Sequence, residues 1–255
     1  MINRLLPALT FVGLFAGWEA LVRLAEIPPY TLPAPSLIAT TLWQNFGSLA
    51  GSWWFTLRIT FGALGLACAG GVLLAAVFAL SPRLERAFFP LAVVLQVTPL
   101  VAIAPLILIY VDSTTAALLL CAWVVAFFPI LSNTLTGLRA VDPNLRDLFT
   151  LYGASRWQRL RWLLVPGALP FFLAGVRISG GLCLIGAVTA EMVAGVAGRE
   201  TGLASRILEA SFRSETPKMF AALMLLVLTG VLIFAGFNLL SRVTLRRWGG
   251  EVAQN

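Results

Sequence analysis

Few side chains in this sequence could carry out catalysis or bind a metal. The 255 residues include no histidine, which excludes most metal sites and acid–base pairs that depend on imidazole. The one lysine, Lys218, is followed by Met219 and not by the serine or threonine of a phosphate-binding loop. Three cysteines stand singly in apolar segments, as packing residues do. We therefore expect no catalytic residue, no metal site and no cofactor bound by this chain, and we do not expect an enzyme.

Five polar residues lie inside apolar segments and are candidates for a translocation pathway: Gln96, Thr98, Arg177, Thr189 and Glu191. A charge at the centre of a bilayer costs about 2.5–3.5 kcal/mol, so an ionisable residue there commonly has a function. Arg177 and Glu191 share one helical face but are ~21 Å apart along the axis, too far to pair within the helix. Two alternatives stay open: Arg177 could extend to the lipid headgroups, and single polar residues often only join helices.

The segment 142–170 is polar enough to lie outside the membrane and has clear helix signals. Asp142 can cap a helix that starts with Pro143, whose missing N–H falls where no intrahelical partner exists. Gly153 suits the left-handed position that ends a helix. The spacing predicts a short helix from Pro143 to Tyr152.

A second helix is predicted directly after this turn. Ser155 can cap it, and Gln158 stands three residues later, where a capping box requires it. Pro166 and Pro170 are expected to end it, because proline removes a helical hydrogen bond.

Together the two helices form a hairpin with a basic and apolar surface. Its arginines are Arg146, Arg156, Arg159 and Arg161, and its apolar anchors are Leu148, Phe149, Tyr152 and Trp157. A glycine corner lets two helices approach a groove on a partner protein. The alternative is a structural hairpin that packs on its own helix bundle.

The elements around this hairpin are membrane spans. Hydrophobic residues make up 59% of the chain and charged residues 11%, against roughly 25% charged in soluble domains. At about 20 residues per span, we predict a single all-α membrane domain with six transmembrane helices. The predicted spans are 5–24, 57–80, 88–111, 115–137, 171–197 and 219–241. The first could instead be a signal peptide, but its length and charges favour an uncleaved helix.

The arginines orient the predicted spans. We expect residues 26–52 to form an extracytoplasmic loop with a short surface helix, and residues 198–218 to form an amphipathic outer stretch. Eleven arginines fall on the side that holds both termini and the hairpin: Arg4, Arg83, Arg86, Arg139, Arg146, Arg156, Arg159, Arg161, Arg242, Arg246 and Arg247. Four basic residues fall on the other side: Arg199, Arg206, Arg213 and Lys218. Both termini and the hairpin are therefore predicted to be cytoplasmic.

The hairpin resembles the cytoplasmic coupling motif of permease subunits of binding-protein-dependent ABC importers, and the chain is similar to their nitrate/sulfonate/taurine branch over residues 30–241. The matching stretches are Leu32–Pro35, Thr56–Arg58, Gly62, Gly153–Gln158, Leu164–Pro170, Gly175–Arg177, Ala190–Met192 and Gly202–Leu203. Asp147 stands where the family motif has glutamate, and Leu148 and Phe149 stand where it has two alanines.

The resemblance implies a type I ABC importer permease for a small solute, such as sulfonate, taurine or nitrate, in the bacterial inner membrane. Bicarbonate and thiamine-precursor importers share this permease type. The implied ATPase-coupling residues are Asp147, Leu148, Phe149, Tyr152, Gly153, Ala154, Ser155, Arg156, Trp157 and Pro166. The implied partners are two ATPase subunits that hold ATP and magnesium, a periplasmic or lipid-anchored binding protein, and a second copy of this chain or a different permease. No nucleic acid is expected. An ATP-independent secondary transporter or channel is the alternative function.

Overall fold

The computed structural model describes residues 2–195 and 201–247, and within these ranges the regular secondary structure is entirely helical. The elements in chain order are α1 Ile2–Leu24, α2 Pro35–Leu80, α3 Pro82–Val97, α4 Leu100–Tyr110, α5 Thr114–Arg139, α6 Pro143–Leu151, α7 Arg156–Arg159, a π-helical segment Leu160–Leu164, α8 Val165–Ala194, α9 Leu203–Phe212 and α10 Thr216–Arg247. The predicted all-α class is confirmed.

Four helices in the described part of the chain are long and apolar enough to cross a membrane, and a bent pair could supply a fifth. The four are α2, α5, the continuous helix Arg156–Ala194, and α10. They contain the predicted spans 57–80, 115–137 and 219–241, and residues 171–194 of the predicted span 171–197. The predicted number of six is reached only if α1, a 23-residue helix that contains 5–24, is also counted.

Residues 26–52, predicted as a loop with a short surface helix, belong from Pro35 onward to one long helix. Helix α2 begins at Pro35 and runs for 46 residues without interruption. Proline suits the first turn of a helix, and no further proline follows before residue 82. The prolines that suggested a loop therefore restrict the backbone only of the residues before Pro35.

The predicted span 88–111 is also interrupted. Helices α3 and α4 meet at an angle of 100°, because Thr98 and Pro99 are extended, with ψ angles of 123° and 117°. Proline disfavours the helical region for the residue before it, which ends α3 at this point. The Val94 carbonyl accepts two hydrogen bonds at the end of α3, from the Thr98 N–H at 3.1 Å and from the Thr98 hydroxyl at 2.7 Å.

The prediction that Pro166 and Pro170 end a helix is wrong, since both lie inside α8. The preceding residues 160–164 are π-helical, and the N–H of Val165 donates to the carbonyl of Leu160, five residues earlier. The π-helical segment thus shifts the hydrogen-bond acceptor by one residue just before Pro166. Because proline has no N–H to donate, the shift changes which carbonyl is left without a donor. The second helix of the predicted hairpin is therefore the start of a 39-residue helix.

The Cα packing divides the chain into two compact units. One contains Met1–Thr56 and Ala194–Thr229. Within it, the Trp53 indole donates to the hydroxyl of Thr229 at 2.8 Å, and the N–H of Leu203 donates to the hydroxyl of Thr56 at 2.9 Å. On α9, a hydrogen bond from Arg206 is the main cause that lowers the pKa of the Glu209 carboxyl.

The other unit contains Leu57–Val193 and Gly230–Asn255, and glycines let α5 and α8 approach closely in it. A Cβ atom on Gly186 would lie 2.9 Å from the Cα of Ala122, and one on Gly175 would lie 3.0 Å from the carbonyl oxygen of Pro129. Small residues at such contacts give close helix packing in lipid. The Ser179 hydroxyl adds a buried hydrogen bond of 2.7 Å to the carbonyl of Ala126.

This contact predicts that Gly186→Ala destabilises the protein relative to Gly181→Ala. Gly181 lies on the same helix with nothing within 4 Å of its Cβ position, so alanine there only gains helix propensity, about 1 kcal/mol. At Gly186 the added methyl meets backbone, and overpacking of this kind costs about 1–3 kcal/mol. Thermal unfolding of the two purified variants measures the difference. Equal midpoints would mean that α5 and α8 do not depend on this contact.

Candidate functional site

The chain between α5 and α8 forms a hairpin whose first helix, α6, begins as its sequence predicts. The Asp142 carboxylate accepts a hydrogen bond of 2.8 Å from the N–H of Asn144, and Pro143 is the first helical residue. The cap thus satisfies one of the N–H groups that a helix start leaves without an intrahelical partner.

Helix α6 ends in a Schellman motif. The N–H of Gly153 donates to the carbonyl of Thr150 at 3.0 Å, and the N–H of Ala154 donates to that of Phe149 at 2.9 Å. Gly153 has φ of +66°, a conformation that glycine adopts without a Cβ penalty. Its Cβ position faces open space, with nothing within 4 Å. Glycine is therefore needed here for its backbone angle and not for a close approach.

The predicted capping box opens α7 directly after this turn. The Ser155 hydroxyl accepts from the N–H of Gln158 at 3.2 Å, while the Gln158 side chain accepts from the N–H of Ser155 at 2.7 Å. The two caps are only two residues apart in sequence. They define a corner in which the N–H groups of Gly153, Ala154, Ser155 and Gln158 all have acceptors within the hairpin itself.

Arg146 fixes α6 to the end of α5. Its guanidinium donates to the carbonyl oxygens of Leu138 and Arg139, each at 2.9 Å. Arg139 in turn forms an ion pair with Glu85 of α3. A cation near the last carbonyls of a helix also interacts favourably with the helix dipole.

A buried apolar cluster packs where the hairpin joins the long helices. It includes Phe78 at the end of α2, Leu131 and Leu135 of α5, and Leu160 at the start of the π-helical segment. The hairpin is thus attached at both of its ends to the packed part of its unit.

The outer side of the hairpin is apolar and exposed. None of the nine residues of α6, all of which the structure describes, is buried. Leu148, Tyr152 and Trp157 are 44%, 83% and 72% exposed. We call the exposed apolar residues of the hairpin the coupling surface: Leu145, Leu148, Leu151, Tyr152, Trp157 and Trp162.

An open hollow of about 420 Å³ lies in this surface, between the end of α6 and the start of the following helix. Four predicted coupling residues line it: Leu148, Phe149, Tyr152 and Ala154. Gln158 and Trp162 complete the lining but were not among the predicted residues. Gln158 and Trp162 are four residues apart in the helix that starts after Ser155, so they lie on the same helical face, and this spacing could have identified them.

The other predicted coupling residues do not line the hollow. Asp147, Ser155, Arg156 and Trp157 are exposed, and Gly153 forms the turn. Pro166 lies beyond the π-helical segment, inside α8 and only partly exposed.

The five pathway candidates are in different environments. Gln96 is exposed near the end of α3, and the Thr98 hydroxyl donates to the carbonyl of Val94 one turn earlier. On α8, Arg177 is exposed and Thr189 is half-buried. Glu191 is 1% exposed and is not without an interaction partner. A pathway role for these five residues stays a prediction.

Residues 67–247 match the protein family described as binding-protein-dependent transport system inner membrane component. This match includes α5, the whole hairpin, α8 and α9. The chain belongs to this family. The permease is therefore the membrane component of an ABC importer, a class that works with an ATPase and a substrate-binding protein, and the alternative of an ATP-independent transporter is set aside.

Individual relatives cover nearly the whole permease. It is 35% identical over 240 residues to the riboflavin transport system permease protein of Chloroflexus aurantiacus, covering 93% of this chain and 88% of the relative. It is 33% identical over 245 residues to the formylaminopyrimidine transport permease protein of Halalkalibacterium halodurans, covering 94% of each. A putative aliphatic sulfonates transport permease protein of Bacillus subtilis is 29% identical over 246 residues, covering 95% of this chain and 86% of the relative. The predicted resemblance to the sulfonate-type permeases is confirmed.

A solved structure supports the fold. A chain of the methionine ABC transporter MetNI, in an inward-facing conformation, matches with a TM-score of 0.66 at 19% identity. The match covers 76% of this chain and 95% of that chain. The permease therefore has the fold of a type I ABC importer subunit.

The Arg146 contacts predict that Arg146→Ala loosens the hairpin. The substitution leaves two carbonyls at the end of α5 without their donor, and a hydrogen bond to a charged group contributes about 1.5–3 kcal/mol. Amide hydrogen exchange of residues 144–151, followed by mass spectrometry, should become at least about tenfold faster, the factor for ~1.4 kcal/mol.

Arg161→Ala is the matched control. The Arg161 guanidinium lies 5.3 Å from the centre of the Trp162 ring and has no role in holding α6. Exchange of residues 144–151 should be unchanged in this variant. If both variants exchange alike, Arg146 does not fix the hairpin.

Proposed function

We propose that the permease couples to its ATPase through the coupling surface and the hollow within it. The observation that carries this proposal is that α6 buries none of its own residues while presenting several large apolar side chains. A helix that only packed on its own bundle would turn such residues inward. The hairpin therefore has the features of a helix that enters a groove on a partner.

The geometry supports a rigid element for this role. Tyr152 and Trp157 belong to the residue types that most often dominate binding energy at interfaces. They flank a corner that a Schellman motif closes on one side and a capping box closes on the other. A preordered corner loses little conformational entropy on binding and transmits displacement directly to α5 and α8.

The assembly follows from this role. We infer a homodimer of the permease with two ATPase subunits, which bind ATP and magnesium, on the cytoplasmic side and a binding protein on the other. Support for the orientation comes from the eleven arginines on the side of the hairpin against four basic residues on the other. Support for two permease copies comes from the family pattern of paired membrane subunits, since the chain contains one set of spans.

The coupling proposal predicts that Gly153→Val abolishes uptake while the permease still inserts and assembles. A β-branched residue at φ of +66° adds strain of about 1–3 kcal/mol. Because nothing lies within 4 Å of the Cβ position, the effect comes from the backbone alone. Uptake and retention of the ATPase on the purified permease are the measurements, and both should fall.

Gly153→Asn is the matched control, since asparagine tolerates the left-handed region better than other non-glycine residues. It should retain most uptake and ATPase binding. Normal transport and a normal ATPase complex in Gly153→Val would contradict the role of this corner in coupling.

For the cargo, we propose a small heteroaromatic solute of the vitamin or vitamin-precursor class. The relatives named for riboflavin and formylaminopyrimidine, at 35% and 33% identity, support this class. A sulfonate-type anion, expected from the sequence resemblance, is the second candidate. It is supported by the relative at 29% identity and by Arg177, a cation exposed on α8.

Uptake by the complete importer in proteoliposomes distinguishes the two cargo classes. We expect ATP-dependent accumulation of labelled riboflavin or formylaminopyrimidine that an excess of an alkanesulfonate or taurine does not reduce. Accumulation of the sulfonate, with no uptake of either heteroaromatic compound, would support the second candidate and contradict the first.

A further inference from the structure

A second cavity, on the inner side of the hairpin, is lined by four arginines. It has a volume of about 320 Å³ and lies among the ends of α2 and α5, helix α6 and the start of the helix that continues into α8. Arg139, Arg146, Arg156 and Arg159 line it. None of the described residues that line it is acidic. The cavity is at the small end of the range typical of ligand pockets.

The charge of this cavity is only partly compensated within the described chain. Arg139 has an ion pair with Glu85, but no described carboxylate pairs with Arg146, Arg156 or Arg159. Arg146 donates to two carbonyls, while its Nε is buried with no hydrogen-bond partner. Arg159 makes a single long contact of 3.4 Å with the hydroxyl of Thr150.

Cations that face one small space repel each other, and the repulsion grows where protein excludes water. A bound anion would remove this cost and supply acceptors for the N–H groups that have none. The planar guanidinium matches the oxygens of a phosphate group in paired hydrogen bonds. The arrangement is therefore complementary to an anion with several oxygens.

The remaining wall of the cavity is apolar. Leu80 at the end of α2, together with Leu163 and Leu164 of the π-helical segment, contributes to it. The cavity thus lies where the ends of two membrane-spanning helices meet the hairpin. A basic pocket at the ends of membrane helices, with an apolar wall beside it, fits the headgroup region of an anionic lipid.

We propose that this cavity is a binding site for a phosphate group, which links the arginines of the hairpin to Arg139 at the end of α5. The phosphate belongs either to an anionic lipid or to a soluble compound. The site is separate from the coupling surface, since none of the six residues that line the outer hollow lines this cavity.

The test uses the complete importer, purified with its ATPase, in two arms. In the first arm, native mass spectrometry measures retention of phosphatidylglycerol from nanodiscs that contain it in a mixture with phosphatidylcholine. In the second, calorimetry measures binding of inorganic phosphate and pyrophosphate to the importer after the lipid has been exchanged for detergent. Each arm compares the wild type with Arg159→Gln and with the double variant Arg156→Gln/Arg159→Gln.

Arg161→Gln is the control for a general loss of positive charge. Arg161 lies two residues after Arg159 in the same continuous helix but does not line the cavity. We expect Arg159→Gln to weaken binding about tenfold in at least one arm, which corresponds to ~1.4 kcal/mol. The double variant should weaken it further, and Arg161→Gln should leave it unchanged. Size-exclusion profiles and thermal-unfolding midpoints confirm that each variant is folded.

The arm that responds identifies the source of the phosphate, and a response in either arm supports the site. Three results would overturn it. One is the absence of anion binding to the wild-type importer in both arms, as would follow if acidic side chains of the ATPase occupied the cavity. The others are equal binding by the wild type and the double variant, and equal losses in the double variant and in Arg161→Gln.

Discussion

Backbone hydrogen bonding determines where the helices of this chain can break. In a membrane, a peptide group without a partner costs several kcal/mol, so every interruption of a helix needs a substitute donor or acceptor. At the Thr98–Pro99 break, the Thr98 hydroxyl adds a second hydrogen bond to the Val94 carbonyl, which also accepts from the Thr98 N–H. Before Pro166, the π-helical segment shifts the bonding partner by one residue. The same requirement governs the hairpin, where both helix ends that form the corner are capped.

The caps also explain why the hairpin can present an apolar surface. Because Asp142, Gly153 and Ser155 satisfy the ends of its helices, the hairpin does not need to bury its backbone against the bundle. Arg146 then holds it by the last carbonyls of α5. The large side chains from Leu145 to Trp162 remain available to a partner. The hairpin backbone is therefore ordered although its apolar side chains are exposed, because hydrogen bonds and not burial hold it in place.

The features that the sequence predicted correctly are local ones. A helix cap depends on residue types within a few positions of one another, so the start of α6, the Gly153 turn and the capping box could all be found in advance. The prolines were harder to interpret. Pro99 ends a helix and Pro166 does not, and the difference depends on a π-helical shift that has no sequence signal as clear as a cap. The length of α2 was missed because prolines before residue 35 suggested a loop. The cargo could not be predicted, since no residue pattern in the chain identifies a solute.

The glycines of this permease serve two different physical purposes, and the difference bears on how motion could pass through the protein. Gly175 and Gly186 let α5 and α8 approach to backbone contact, which favours their movement as one body because packed backbones cannot slide without large clashes. At Gly153 nothing lies within 4 Å of the Cβ position, so this glycine provides a backbone angle and not a close approach. A displacement applied at the Gly153 corner is therefore carried by α6, through Arg146, to α5, and by the continuous helix Arg156–Ala194 to α8. Both routes lead to the same closely packed pair of helices. This convergence favours a collective tilt of α5 and α8 over independent movement of either helix.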